Sequence, residues 1–150
     1  MSRHYLLDGY NVLYALPEMP AGSWEQKRDA LLHQIVRDKP HGNNRITIIF
    51  DSREGPGGQS RLGDLQVVYT SGETADDWIS QYVRRAANPR SLVVVSDDQG
   101  LRRMVRGTGA KGMGTREFWQ KPKRRPGSPS ETEAPIDADS ITDEFRKKWL

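Results

Sequence analysis

Two runs in this chain have almost no polar alternation. They are Arg45-Ile46-Thr47-Ile48-Ile49-Phe50 and Leu92-Val93-Val94-Val95. A β-rich run of this kind is buried on both faces, as central strands of helix-covered sheets are. Tyr5-Leu6-Leu7 is a shorter run of the same type. Each of the three ends abruptly in a carboxylate: Asp8, Asp51 and Asp97. Open α/β sheets place their ligand sites at the carboxyl ends of strands. A lone Asp after a strand is equally well explained as a turn residue. Three repetitions of the pattern shift the balance toward a site.

The segments between these runs read as helices. Ser23 is an N-cap with Gln26 at the capping-box position. Trp24, Arg28, Leu31, Leu32 and Ile35 follow at helical spacing, which predicts a helix over 24–38. Arg28 lies on the apolar side. It either packs its stem with its head in water, the slightly favoured reading, or aims at acidic strand tips or a phosphate. Ser52 to Gly63 reads as a mobile loop carrying Arg53 and Arg61 on the Asp51 edge. Leu65 to Tyr69 is a strand, and Thr74-Ala75-Asp76-Asp77 opens a helix to about Ala87. Thr74 and Asp77 stand three apart as a capping pair. Asp76 has no such duty and falls in line with Ile79, Tyr82, Val83 and Ala86, the apolar face. An inward carboxylate is costly unless something pairs with it. One of Ser96, Asp97 and Asp98 caps the next helix, whose outer sides carry Arg102, Arg103 and Arg106 and which Gly107 and Gly109 end. A last short strand over Ala110 to Met113 and a helical turn over Thr115 to Trp119 close the body.

From Lys121 the composition becomes basic and proline-rich, then acidic. Residues 121–139 read as a flexible linker. Ser140 caps a short amphipathic helix over 140–150, with Ile141, Phe145 and Trp149 spaced by four. A helix this short must dock on its own body, a second copy or a partner. The 150 residues therefore divide into one domain over 1–120 and a tail. Net charge is +3, and Lys and Arg number 16 against 14 Asp and Glu in residues 1–120. A nucleic-acid surface must come from local clustering, not from overall charge. There are no cysteines, which excludes disulfides and thiolate metal sites. No secretory leader pattern and no stretch of ~20 apolar residues occurs, so the expectation is a soluble cytoplasmic protein.

If the strands ending in Asp8, Asp51 and Asp97 are parallel neighbours, these three carboxylates and Asp76 converge at one edge. Four such groups would raise each other's pKa. A divalent cation relieves that repulsion, and oxygen-only ligands select Mg²⁺ or Mn²⁺. Such an ion activates water and neutralises phosphoryl charge, the equipment of a metal-dependent phosphodiesterase. No serine or cysteine triad and no phosphate-binding glycine loop competes.

Asp8-Gly9-Tyr10-Asn11, Gly72-Glu73-Thr74-Ala75-Asp76-Asp77 and Ser96-Asp97, in this order, resemble the NYN domain. More narrowly they resemble its YacP-like branch within the PIN-like nuclease superfamily. The likeness covers roughly residues 4–119. It implies a three-layer α/β/α sandwich around a mainly parallel sheet, an acidic cluster binding Mg²⁺ or Mn²⁺, and endoribonuclease activity. By motif match, Asp8, Asp76 and Asp97 carry over as metal ligands, Asp51 joins them after the second strand, and Asn11 is an orienting amide. Asp77 matches the pattern and keeps its capping explanation.

The expected function is therefore a metal-dependent endoribonuclease, with Arg28, Arg53, Arg61 and Arg102 positioning RNA, messenger or structured. The rival is a binding module that holds RNA, or docks on a ribonucleoprotein such as the ribosome, without cutting. A phosphatase or phosphoacceptor reading ranks lower. Tyr10 stands where a dehalogenase-like site needs a second aspartate, and only Lys111 is near the position of a receiver lysine. Self-association through the C-terminal helix is a further expectation.

Overall fold

The computed structural model describes residues 3–52 and 57–120. Its centre is β1 (His4–Asp8), which pairs in parallel with β2 (Arg45–Phe50) on one side and β5 (Leu92–Val95) on the other. Outward from these lie β4 (Leu65–Tyr69) and β3 (Gly58–Leu62) beyond β2, and β6 (Lys111–Met113) beyond β5. Five strands run parallel, and β3 alone is antiparallel, paired to β4. All of β1 and β5 is buried, as two-sided apolar runs require.

Alternation along the strands creates two apolar layers. Tyr5, Leu7, Ile46, Ile48, Phe50, Val93 and Val95 face α1 (Gly9–Tyr14), α2 (Trp24–Asp38) and α5 (Thr115–Gln120), which contribute Val12, Leu13, Leu31, Ile35 and Phe118. Leu6, Ile49, Val68 and Val94 face α3 (Ala75–Arg85) and α4 (Gln99–Thr108), which contribute Ile79, Val83, Leu101 and Val105. The result is the three-layer α/β/α sandwich with a mainly parallel sheet.

The predicted caps form. Ser23 Oγ accepts from Gln26 N–H at 3.2 Å, and Gln26 Oε1 accepts from Ser23 N–H at 2.8 Å. Thr74 Oγ1 accepts from Asp77 N–H at 3.0 Å. The helix α4 runs through Gly107 to Thr108 and stops at Gly109, whose φ of 100° is the left-handed cap.

The loop expected over Ser52 to Gly63 is corrected in its second half. Gly58–Leu62 is a strand, hairpinned to β4 through Gly63 and Asp64, with Gly63 at φ 59°. Its residues carry no apolar alternation because the strand lies at the sheet edge, where all but Leu62 are exposed. The consequence falls on Arg61. It pairs with Gln66 near the start of β4, so it sits at the opposite edge of the sheet from Asp51 and does not approach the acidic strand tips. Arg53, the linker 121–139 and the helix 140–150 lie outside the described residues. Among the described residues no helix is long and apolar enough to cross a membrane.

At the amino edge of the sheet, His4 is buried and its Nε2 meets Thr47 Oγ1 at 2.8 Å. Burial, helped by the charge of Arg45, lowers its pKa to about 4, so the ring is neutral.

The turn out of β1 admits only glycine. A Cβ on Gly9 would stand 2.6 Å from a Phe50 ring carbon and 2.8 Å from the Ile49 carbonyl oxygen. Gly9→Ala is therefore expected to destabilise the fold by about 1–3 kcal/mol, the range for overpacking a tight site. Chemical denaturation checks this, and a variant within 0.5 kcal/mol, roughly the scatter of neutral surface substitutions, would show that the turn relaxes.

Candidate functional site

Strand direction puts the ends of β1, β2, β4 and β5 at one edge, and the chain then folds three other segments onto it. Asp8 ends β1 and is only 8% exposed. The turn after β4 is tied to the end of β2. Thr70 Oγ1 accepts from Ser52 N–H at 2.9 Å and donates to the Glu73 carbonyl at 2.7 Å. That knot sets where α3 begins, and the first turn of α3 delivers Asp76 to Asp8. Their carboxyls lie within hydrogen-bonding reach of each other.

The loop after β5 is held from the other side. Asn11 Oδ1 accepts from Asp97 N–H at 2.9 Å and from Ser96 Oγ at 3.4 Å. The fully buried Ser96 hydroxyl also lies 3.4 Å from Asp8 Oδ2. Asn11 therefore braces the β5 loop against β1. Asp98 is the N-cap of α4, accepting from Leu101 N–H at 2.8 Å. Its carboxylate also reaches Asp76. Asp97 turns elsewhere: it accepts from Thr115 N–H at 3.0 Å and from Thr115 Oγ1 at 2.7 Å, anchoring the start of α5.

Of the expected site residues, the structure thus brings Asp8 and Asp76 into contact and sets Asn11 and Asp97 beside them. Asp51 follows β2 at the same edge, one strand away. Asp98 and Ser96 belong to the group and were not singled out from sequence. The Ser96-Asp97-Asp98 run was visible, but sequence alone could not decide which carboxylate caps a helix and which faces Asp76. Nothing in the sequence marked Thr115.

The three touching acids differ in acidity. Burial is the main cause that pushes Asp8 from 3.8 up to about 7, and the hydrogen bond and charge of Asp76 add to it. The Asn11 N–H and the Ser96 hydroxyl partly offset the rise. Burial also raises Asp76, with Asp98 and Asp77 adding to it and Asp8 opposing it. Asp98 is lowered, chiefly by the Leu101 N–H. Near neutral pH and without a cation, the Asp8–Asp76 pair therefore favours holding a proton that an isolated carboxylate would have lost.

Two arginines flank the edge. Arg102 is half-buried and its Nε has no hydrogen-bond partner. A Cβ on Gly114 would lie 3.1 Å from Arg102 Nη1 and 3.8 Å from Asp97 Oδ1, so the guanidinium stands beside the Asp97 loop. Arg28 is on the other face of the sheet, its Nη1 donating to the Tyr10 hydroxyl at 3.2 Å.

The raised Asp8 pKa has a consequence for stability. Between about pH 4 and pH 7 the folded protein keeps a proton that the unfolded chain releases, so the contribution of Asp8 falls as pH rises through that window. Asp8→Asn removes this cost. At pH 8, in chelator, the variant is expected to be more stable than wild type by roughly 1–3 kcal/mol. The difference should vanish near pH 4. His4 loses stability in the opposite direction, as pH falls below its unfolded value, but equally in both proteins. Paired thermal melts test this; a variant no more stable at pH 8 would show that the carboxyl contact carries no strain.

The sequence profile of the YacP-like NYN domain matches residues 5–148. The uncharacterized protein YacP of Bacillus subtilis is 28% identical over 120 residues, 75% of this chain and 71% of that protein. The crystal structure of Rae1 (YacP) from Bacillus subtilis superposes with a TM-score of 0.63 at 27% identity, covering 80% of this chain and 72% of that one. A single-substitution variant of Rae1 superposes equally well, at 26% identity over 79% and 73%. With the profile spanning nearly the whole chain and the solved fold superposing on the described domain, the chain belongs to the YacP-like NYN domain family.

Proposed function

We propose that this protein is a metal-dependent endoribonuclease that hydrolyses RNA phosphodiester bonds at the edge formed by Asp8, Asp76 and the Ser96–Asp98 loop. One observation carries the reading: in an NYN-family chain, two carboxyls are pressed together at the carboxyl edge of a parallel sheet, one of them buried. Retaining such a contact costs stability, which suits a functional site better than a structural one.

The donor set fits Mg²⁺ or Mn²⁺. Among the described residues no three acidic or imidazole groups surround one point. Mg²⁺ needs no such cage; it commonly takes one or two protein carboxylates and completes its shell with water and substrate phosphate. Asp8 and Asp76 would hold the ion, with Asp98 reaching in through Asp76 and Asp51 approaching from the next strand. A bound cation lowers the pKa of its water and offsets charge on a phosphoryl oxygen. A bound cation would favour the ionised form of Asp8, because ligands must be deprotonated. Asn11 fixes the Asp97 loop relative to Asp8. Arg102, beside that loop, offers its guanidinium to a backbone phosphate. The RNA positioning roles first expected of Arg28 and Arg53 stay with this proposal, whereas Arg61 is removed from it by its place at the far edge.

A second reading, an NYN module that binds RNA or a ribonucleoprotein without cutting, has its own support. Asp97 is engaged by Thr115, and no ready three-ligand group stands among the described residues.

Calorimetric Mn²⁺ titration and RNA cleavage, on wild type and Asp76→Asn, separate the two. The nuclease reading expects Mn²⁺ binding by wild type that is lost in Asp76→Asn. It also expects cleavage reduced by at least ~100-fold, the usual cost of removing a group that stabilises transition-state charge. RNA binding that ignores metal, with no cleavage by wild type, would install the binding module instead.

A further inference from the structure

The face of the sheet opposite Asp76 carries a different chemistry at the same edge. The helix α2 runs against the strand direction. Its first turns pack on the carboxyl ends of β2 and β4, where Arg28 lies 6.0 Å from the Phe50 ring and 5.9 Å from the Tyr69 ring. Its last residues, Val36 and Lys39, line a hollow with Gly63, Asp64 and Leu65 at the amino edge. Trp24, in the first turn, therefore stands at the edge that holds Asp8.

Trp24 is 48% exposed and Tyr14 is 59% exposed. They meet edge to face with ring centroids 6.0 Å apart, and Tyr10 meets Trp24 in the same way at 6.1 Å. Tyr10 in turn packs on Phe50 at 5.2 Å, so the exposed rings are the outer end of a cluster rooted in the core. Lys27 Nζ lies 4.6 Å from the centre of the Trp24 ring. Arg28 Nε is buried without a hydrogen-bond partner, while its Nη1 is held by Tyr10.

We infer that Tyr14, Trp24, Lys27 and Arg28 form a platform for single-stranded RNA entering or leaving the Asp8–Asp76 edge. The inference rests on the RNA-cleaving reading and adds the strandedness of the substrate and the path it takes. Single exposed aromatics are ordinary, but rings rooted in the core and interleaved with cations are how proteins hold single strands. Bases stack on the rings whatever their identity, and Lys27 and Arg28 meet the phosphates between them. A duplex hides its base faces and gains nothing here. Tyr10 joins the two halves of the edge: it lies between Asp8, in the acidic half, and the aromatic cluster, with Asn11 directly after it in α1.

The test is fluorescence anisotropy of a labelled oligouridylate in chelator, so that nothing is cut. Tyr14→Ala/Trp24→Ala is expected to bind roughly 10- to 100-fold more weakly than wild type, from the loss of base stacking. Tyr14→Phe/Trp24→Phe, which keeps the rings, should stay within about threefold of wild type. Circular dichroism confirms that both variants fold. Wild-type affinity in the alanine variant overturns the platform, as does failure of wild type to bind the oligonucleotide. A wild-type dimer in sedimentation that the alanine variant loses, with RNA binding unchanged, assigns the patch to a second copy and also overturns it. Manganese-dependent cleavage by wild type alongside undiminished binding by the alanine variant would sink the platform and leave the nuclease reading standing.

Discussion

The contact between Asp8 and Asp76 is the constraint to which the rest of this domain answers. A carboxyl that is 8% exposed and touches another acid is stable only if the frame stops the two from moving apart. The frame is supplied on three sides. Central strand pairing holds β1 between β2 and β5. Thr70 ties the end of β2 to the entry of α3. Asn11 and Ser96 tie the β5 loop back to β1. Each tie uses a short polar side chain or a backbone group, so each fixes direction as well as distance. The two apolar layers, one on each face of the sheet, carry the stability that lets the edge keep a costly buried carboxyl contact.

Acidity is graded across the three acids because each meets a different environment. Asp8 is walled in by the sheet, Asp76 is part-covered in the first turn of α3, and Asp98 is open to water with a helix N-terminus beneath it. The gradient orders the group without any metal. The outer acid faces solvent and is held toward its ionised form, and the buried inner one favours its proton. Under the nuclease reading, a cation approaching from solvent would meet the ionised outer acid first and the proton-favouring buried acid last.

Much of this was legible in the sequence because each feature had a local physical signature. Two-sided apolar runs identified the central strands, and capping residues located the starts of α2 and α3. Asp76 stood out because an inward carboxylate had no capping duty to explain it. The failures share a cause as well. Gly58–Leu62 pairs along one side only and exposes every residue but Leu62, so its pairing left no apolar pattern. Reading that stretch as loop carried Arg61 to the wrong edge. Asp97 and Asp98 could not be told apart because their partners, Thr115 and Asp76, arrive from distant segments. The aromatic partners of Arg28 left no mark in the sequence. Its guanidinium packs over Phe50 and Tyr69, and an Nη1 hydrogen bond to Tyr10 fixes the head at the functional edge.

Under the proposed nuclease reading a polyanion would have to approach an acidic site, and the charge layout bears on how this edge could tolerate it. A net charge of +3 over 150 residues provides little long-range steering. Local charge must do the work, within about a Debye length of 8–10 Å. The raised pKa of Asp8 already lessens the negative charge of the acidic half near neutral pH. Arg102 stands beside the Asp97 loop on one flank, and Lys27 and Arg28 stand on the other face of the sheet at the same edge. A backbone laid across the edge would therefore meet cations on both sides and acids only at the centre, where the proposed divalent ion would sit. On that reading, binding strength would come from the flanks and chemistry from the middle, so each could be altered without abolishing the other.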